Sequence, residues 1–139
     1  MKHLSVDIET YSDVDIGKAG LYKYCDTDVF EILLFAYAYD FGKVHVIDLA
    51  SGQTIPPQVL TDLQDPDVLK HAYNAAFEIT CLNRCGYRTP ASQWRCTMLH
   101  GLYLGYPAGL ANWARRWGSL RISVNGGRQG TDTLFLRTL

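Results

Sequence analysis

The sequence predicts an α/β domain in which a mixed β-sheet opens with three strands and then continues through alternating helices and strands. Two observations predict it. Residues 3–49 carry strand-type patterns with turn residues between the last two, and residues 56–103 alternate helical and strand patterns. Strands first and alternation afterwards point to a mixed sheet with helices packed on it.

The elements follow in order. His3 to Glu9 alternates strictly, with Leu4, Val6 and Ile8 on one face, and predicts a strand. Residues 10–30 are polar, hold Gly17, Gly20 and several Asp, and predict a loop with a helical turn. Glu31 to Tyr39 is apolar and aromatic, as a buried strand requires. Asp40-Phe41-Gly42-Lys43 supplies a turn, and Val44 to Leu49 returns as the second arm of a hairpin. Pro56-Pro57 suits the first turn of a helix that runs to Gln64, with Leu60 and Leu63 on its apolar side. Asp65-Pro66-Asp67 ends it, and Val68 to Ala72 is a short strand. Asn74 is placed to cap a helix over 75–85, with Phe77, Cys81, Leu82 and Cys85 along one face and Gly86 as its stop. Trp94-Arg95-Cys96 predicts a further strand. Thr97 then caps a helix through Tyr103, broken by Gly105-Tyr106-Pro107.

Composition sets the class. With 47% hydrophobic and 19% charged residues, the 139-residue chain is expected to fold as one soluble domain. The longest apolar run, Ile32 to Tyr39, is strand-length and far short of a membrane span, which needs about 18 residues. Met1-Lys2-His3 leads straight into the first strand without a signal-peptide core, so a cytoplasmic protein is expected. The four cysteines are then expected as reduced thiols. Residues 1–111 hold 8 Lys+Arg against 13 Asp+Glu, whereas residues 112–139 hold 5 Arg against Asp132 alone. An acidic body with a basic end excludes the broad basic stripe of a dedicated duplex-DNA binder. It suits a body that gathers carboxylates for metal ions.

Two groups of carboxylates carry the functional argument. Asp7 and Glu9 lie two apart on a strand, so both project from the same face. Such a pair can hold two divalent ions about 3.5–4 Å apart, the arrangement that activates water and stabilises the leaving oxygen in phosphodiester cleavage. Mg²⁺ and Mn²⁺ prefer these oxygen ligands. Taken alone, Asp-x-Glu is more often a solvent-facing pair. Glu78 adds a third carboxylate on the first turn of the helix after a short strand, where an acidic residue also complements the helix dipole.

Together these residues resemble a known family. Asp7-Ile8-Glu9-Thr10 is similar to the first motif of the DEDD 3′→5′ exonucleases, and His71-Ala72-Tyr73-Asn74-Ala75-Ala76-Phe77-Glu78 resembles the second. The stretches from Ser12 to Phe35 and from Trp94 to Asn112 look like the N-terminal exonuclease region of bacteriophage-type family A DNA polymerases. The resemblance covers about residues 1–112. It implies a ribonuclease H-like fold, a pair of Mg²⁺ or Mn²⁺ ions, and removal of nucleotides from the 3′ end of single-stranded DNA. By motif, Asp7 would contact both metals, Glu9 one metal and the nucleotide end or the attacking water, and Glu78 would take the third acidic position, where Asp is commoner. Asn74 and Phe77 would shape the site, Phe77 as core packing, and Thr10 and Tyr11 would touch the terminal nucleotide. The family's third motif, Tyr-x-x-x-Asp, is not found: after Glu78 the sole acidic residue is Asp132, with no tyrosine four positions before it. The expected domain therefore stops before its active site is complete, and full activity from this chain is not expected.

Residues 112–139 show no sustained helical or strand period and are expected as an irregular basic tail. Read one base earlier, a permitted codon choice for Trp113 to Ser123 spells an amphipathic helix and turn. The tail is thus expected to be out of frame, and the chain to be a degraded or truncated gene product.

A competing reading uses Cys81, Cys85, Cys96 and His100. Each pair is spaced i, i+4 on a predicted helix, and together they form a candidate Cys₃His zinc site in a non-catalytic nucleic-acid-binding or zinc-stapled module. Against it, Cys81 and Cys85 also fit as small core residues. Tyr22, Tyr24, Phe35, Tyr37 and Tyr39 can stack bases, but the alternation of Phe35, Tyr37 and Tyr39 favours one face of a sheet. His45 and His71 are expected to be structural.

Overall fold

The structure is a computed structural model that describes residues 1–109 and the backbone of two further strands, at 120–125 and 131–136. Strand β1 spans Lys2–Tyr11, and two short helices follow, α1 (Ile16–Ala19) and α2 (Leu21–Cys25). Then come β2 (Glu31–Tyr39), β3 (His45–Asp48), α3 (Pro57–Gln64), β4 (Val68–Ala72) and α4 (Ala75–Arg84). A 3₁₀ turn at Ala91–Gln93 leads into β5 (Trp94–Cys96) and α5 (Thr97–Tyr103). The first five strands form one sheet in the order β3-β2-β1-β4-β5. β1 runs antiparallel to β2 and parallel to β4, so the sheet is mixed as expected.

Local chemistry explains each join. Gly42 donates its backbone N–H to the Tyr39 carbonyl at 2.8 Å, closing the hairpin between β2 and β3. Asp40 and Phe41 both have positive φ there, as a type I′ turn demands. Asp40 also accepts from the His3 backbone N–H at 2.9 Å, which pins the turn to the start of β1. The parallel pairs β1–β4 and β4–β5 need crossovers, and α3 and α4 lie in those connections. Gly86, at φ 85, takes the left-handed conformation just past α4.

The core lies on one face of the sheet. Leu4, Val6, Ile8, Phe35 and Tyr37 pack there with Val59 and Leu63 of α3 and Cys81 and Leu82 of α4. Each large apolar side chain fully buried contributes roughly 1.5–3 kcal/mol. Register puts Val6 opposite Tyr37, Ile8 opposite Phe35 and Leu4 opposite Tyr39. The Phe35–Tyr37–Tyr39 stripe is therefore a core feature, with neighbouring rings 6.1 and 5.9 Å apart.

Three differences from the sequence expectations stand out. The polar loop at 10–30 contains two short helices, of which α1 is capped by the Asp15 carboxylate on the Gly17 N–H. Cys85 is exposed rather than on the buried face of α4, because that helix ends at Arg84. Within the tail expected to be irregular, β6 (Leu120–Asn125) and β7 (Thr131–Leu136) pair antiparallel, Leu120 opposite Leu136. In the sequence, Asn125-Gly126-Gly127 is a recognised hairpin signal that the basic composition obscured. The proposed break from Trp113 begins outside the described residues.

Polar residues are buried as well. Asp62 of α3 is 3% exposed and accepts from Lys2 Nζ at 2.7 Å, from Gln58 Nε2 at 3.1 Å and from the Tyr39 hydroxyl. Lys70, fully buried in β4, donates from Nζ to the Asp65 carbonyl at 2.5 Å. A lysine at the centre of an alternating strand has no sequence signal for burial. Its stem packs in the core while its ammonium reaches the chain turn after α3.

Candidate active site

Asp7 and Glu9 sit on the face of β1 opposite Leu4, Val6 and Ile8, paired with Ala36 and Leu34 of β2. Both are half-buried. The register shifts just beyond them, between Glu9 and Thr10, so that Thr10 pairs with Ile32. Bulges of this kind bend a strand and re-aim side chains, and they are frequent beside functional sites.

Glu78 reaches the same neighbourhood from α4. β4 runs parallel to β1 with His71 beside Ser5, and the chain turns at Asn74 into the helix. Glu78 in its first turn is 2% exposed, and its Oε2 atom is buried without a hydrogen-bond partner. Burial first, and then the charge of Asp7, hold its carboxyl well above the usual glutamate range; Cys96 and Glu9 add to the same direction. A carboxylate placed merely to complement a helix dipole would be solvated. This one is not.

The three carboxylates are near enough to feel one another's charge. They are not drawn into a closed ligand set, since among the described residues no group of three or more His, Cys, Asp or Glu is close enough together to hold a metal ion. All three are oxygen donors. Hard divalent cations suit that chemistry, and the orphaned Glu78 oxygen is the kind of atom a cation would satisfy.

The neighbouring candidates divide. Thr10 is half-buried, and its hydroxyl lies 2.8 Å from that of Tyr24 on α2. Tyr11 is 48% exposed at the strand end. Phe77 packs against the core, with its ring 6.3 Å from that of Tyr24. Asn74 occupies the N-cap position, but in the left-handed conformation (φ 64, ψ 54) and without the side-chain cap expected of it. Asparagine is among the few residues that take this conformation readily, and the chain uses it to turn from β4 into α4. Tyr24, named in the sequence as one of the aromatic residues able to stack bases, has a joining role that sequence reasoning missed. Its place in a polar loop gave no period to mark it, yet it joins the end of β1 to α4.

The four candidate zinc ligands are not brought together. Cys81 is buried, Cys85 and His100 are exposed and Cys96 is half-buried. His45 stacks on Tyr37 at 5.1 Å, and His71 Nε2 lies 2.9 Å from His3 Nδ1, so both have structural contacts.

No family model matches the chain. It is 47% identical over 131 residues, 94% of its length, to a DNA polymerase of Bacillus phage SP02. An alignment of that length reaches beyond residue 112 wherever it begins. The chain spans 20% of that relative's length. A solved structure described as the apo form of a nuclease matches 81% of this chain and 50% of its own with a TM-score of 0.56, at 20% identity. That likeness concerns the fold, and the mixed five-stranded sheet with its helices is the α/β, ribonuclease H-like arrangement expected from the sequence. The chain is thus similar to part of a phage DNA polymerase and carries a nuclease-like fold. Among the described residues no helix is long and apolar enough to cross a membrane.

Proposed function

We propose that this chain is the front part of a proofreading-type 3′→5′ exonuclease domain of the kind joined to phage DNA polymerases, with Asp7, Glu9 and Glu78 as its acidic centre. The observation that carries the reading is the Glu78 carboxyl, buried with one oxygen unpartnered and raised by burial and by Asp7. A protein gains no stability from such an arrangement, because an unsatisfied buried oxygen and adjacent like charges both destabilise the native state. A site that awaits cations accounts for it.

Asp7 and Glu9 from the strand and Glu78 from the helix would hold a Mg²⁺ or Mn²⁺ pair, which when bound supplies an activated water and stabilises the leaving oxygen. In the reaction, water adds to phosphorus and the bond to the 3′ oxygen of the preceding nucleotide breaks, which releases a nucleoside 5′-monophosphate. Thr10 and Tyr11, at the end of β1, would meet a single-stranded 3′ terminus. Tyr24 and Phe77 form the wall that keeps the end of β1 against α4. Asn74 sets where α4 begins, and so where Glu78 stands.

Three acidic ligands stand where the resembling family uses four. The one acidic residue after Glu78 in the sequence, Asp132, lies on β7 opposite Val124, and its side chain is outside the described residues. Losing one member of a set that acts as a unit costs orders of magnitude in rate. The chain is therefore expected to bind divalent ions more readily than it turns over DNA.

The test pairs Mn²⁺ binding, followed by electron paramagnetic resonance, with degradation of a 3′-labelled single-stranded oligonucleotide. The expected result is Mn²⁺ binding that is lost in Asp7→Ala and in Glu78→Gln, with weak or no cleavage. Equal Mn²⁺ binding by the native chain and both variants would sink the assignment.

A further inference from the structure

Cys25 closes α2 and Cys81 lies within α4, and their sulfurs stand 3.4 Å apart. Both are free thiols, 2% and 0% exposed, and neither takes part in the proposed chemistry. Contact at this distance brings together residues 56 apart in the chain.

The surroundings hold the two sulfurs in register. Tyr24, next to Cys25, meets the Thr10 hydroxyl at 2.8 Å, and its ring lies 6.3 Å from that of Phe77. On the other side Arg84 of α4 reaches Asp26 at 3.6 Å. Contacts on either side of Cys25 thus fix α2 against β1 and α4. A disulfide requires a sulfur separation of about 2.05 Å and side chains that face each other. The sulfurs already meet at contact distance, and closure requires them to approach further.

We propose that Cys25 and Cys81 are a redox-convertible pair, closed by a two-electron oxidant of the peroxide class into a disulfide that links α2 to α4. One sulfur, as thiolate, attacks a peroxide oxygen and the O–O bond breaks. Hydroxide leaves, takes up a proton to become water, and a sulfenic acid remains. The second sulfur then attacks the sulfenic sulfur, the S–O bond breaks, and the second water leaves with the second thiol proton. Two thiols lose two electrons and two protons, and one peroxide becomes two waters.

Burial raises both thiols, Cys81 the more strongly. The thiolate is the reactive form, so closure is slow at neutral pH and accelerates as pH rises. The bond forms one helical turn beyond Glu78 and fixes the helix that carries it. It also closes a loop of more than fifty residues, which favours the folded state by restricting the unfolded chain.

The experiment treats the full chain with hydrogen peroxide, blocks remaining thiols by alkylation, and maps the peptides without reduction. The expected result is a Cys25–Cys81 crosslinked peptide and a rise in Tm on the order of 10 °C, reversed by dithiothreitol. The crosslink disappears in Cys25→Ala. Should that variant fail to fold, the Cys85→Ser/Cys96→Ser double variant decides, because it retains the pair and must still form the bond. Recovery of Cys25 and Cys81 as separate alkylated peptides, or pairing of either with Cys85 or Cys96, would overturn the proposal.

Discussion

Asp7 on the first strand and Glu78 on the fourth helix, far apart in the chain, act on one another across the sheet: after burial, the Asp7 charge is the largest influence that raises the Glu78 carboxyl. Neither residue is unusual in its own element. The parallel pairing of β4 with β1 brings them within electrostatic reach, because it sets the start of α4 beside the strand that bears Asp7.

Glu78→Gln tests what that relationship costs the fold. Glutamine keeps the shape and removes the ionisable group whose charging burial and Asp7 oppose, so without metal the variant is expected to be as stable as the native chain or up to about 2 kcal/mol more stable at neutral pH. Thermal unfolding in the presence of a chelator measures it. A loss of more than about 1 kcal/mol would mean that Glu78 serves the fold rather than a site.

Asp62 gives the pH dependence. Burial alone would push its carboxyl up, but Lys2, Tyr39 and Gln58 hydrogen-bond to it and hold it below the usual aspartate value. A folded value below the unfolded one means that the unfolded chain binds more protons. This contribution is complete above the ordinary aspartate pKa and is lost as pH falls through the depressed folded value. Asp62→Asn is expected to lose roughly 2 kcal/mol at pH 7 and to unfold with a shallower acid limb below about pH 4. Urea unfolding at pH 7 and pH 3 reads both, and an unchanged acid limb would refute the assignment.

Asn74 tests the turn into the site helix. At φ 64 glycine is accepted without strain and alanine is not. Asn74→Gly is expected within about 0.5 kcal/mol of the native stability, whereas Asn74→Ala loses about 1 kcal/mol. Equal stability of the two variants would show that the left-handed conformation is not required.

Phe35, fully buried and opposite Ile8, tests the core under the carboxylate strand. Phe35→Ala is expected to destabilise by about 3–5 kcal/mol through lost burial and the cavity left behind. Denaturant unfolding measures it, and a loss below 2 kcal/mol would mean that the sheet face is less tightly packed than its burial implies.

Much of this architecture is legible in the sequence, because local chemistry alone decides it. Strict alternation from His3 to Glu9 fixes one face of β1 as apolar and so puts Asp7 and Glu9 together on the other. The aromatic run, the Asp40–Lys43 turn and the paired prolines at 56–57 locate β2, the hairpin and α3 for the same reason, as each depends on a few adjacent residues. The sequence motifs also name Glu78 as the third carboxylate. They cannot show that Glu78 is buried, that its Oε2 is unpartnered, or that Asp7 lies near it, since those follow from which strands pair and where the helix docks. The contacts of Tyr24 and the Cys25–Cys81 contact escape sequence reading for that reason too. They lie in or join to a segment without period, and their partners are supplied by α4 and β1 from elsewhere in the chain. The sequence by itself determined most of the elements between β1 and α5 and the identity of the acidic residues; the tertiary structure alone decided their company, because burial and Coulomb interaction depend on distances between segments that no local pattern encodes.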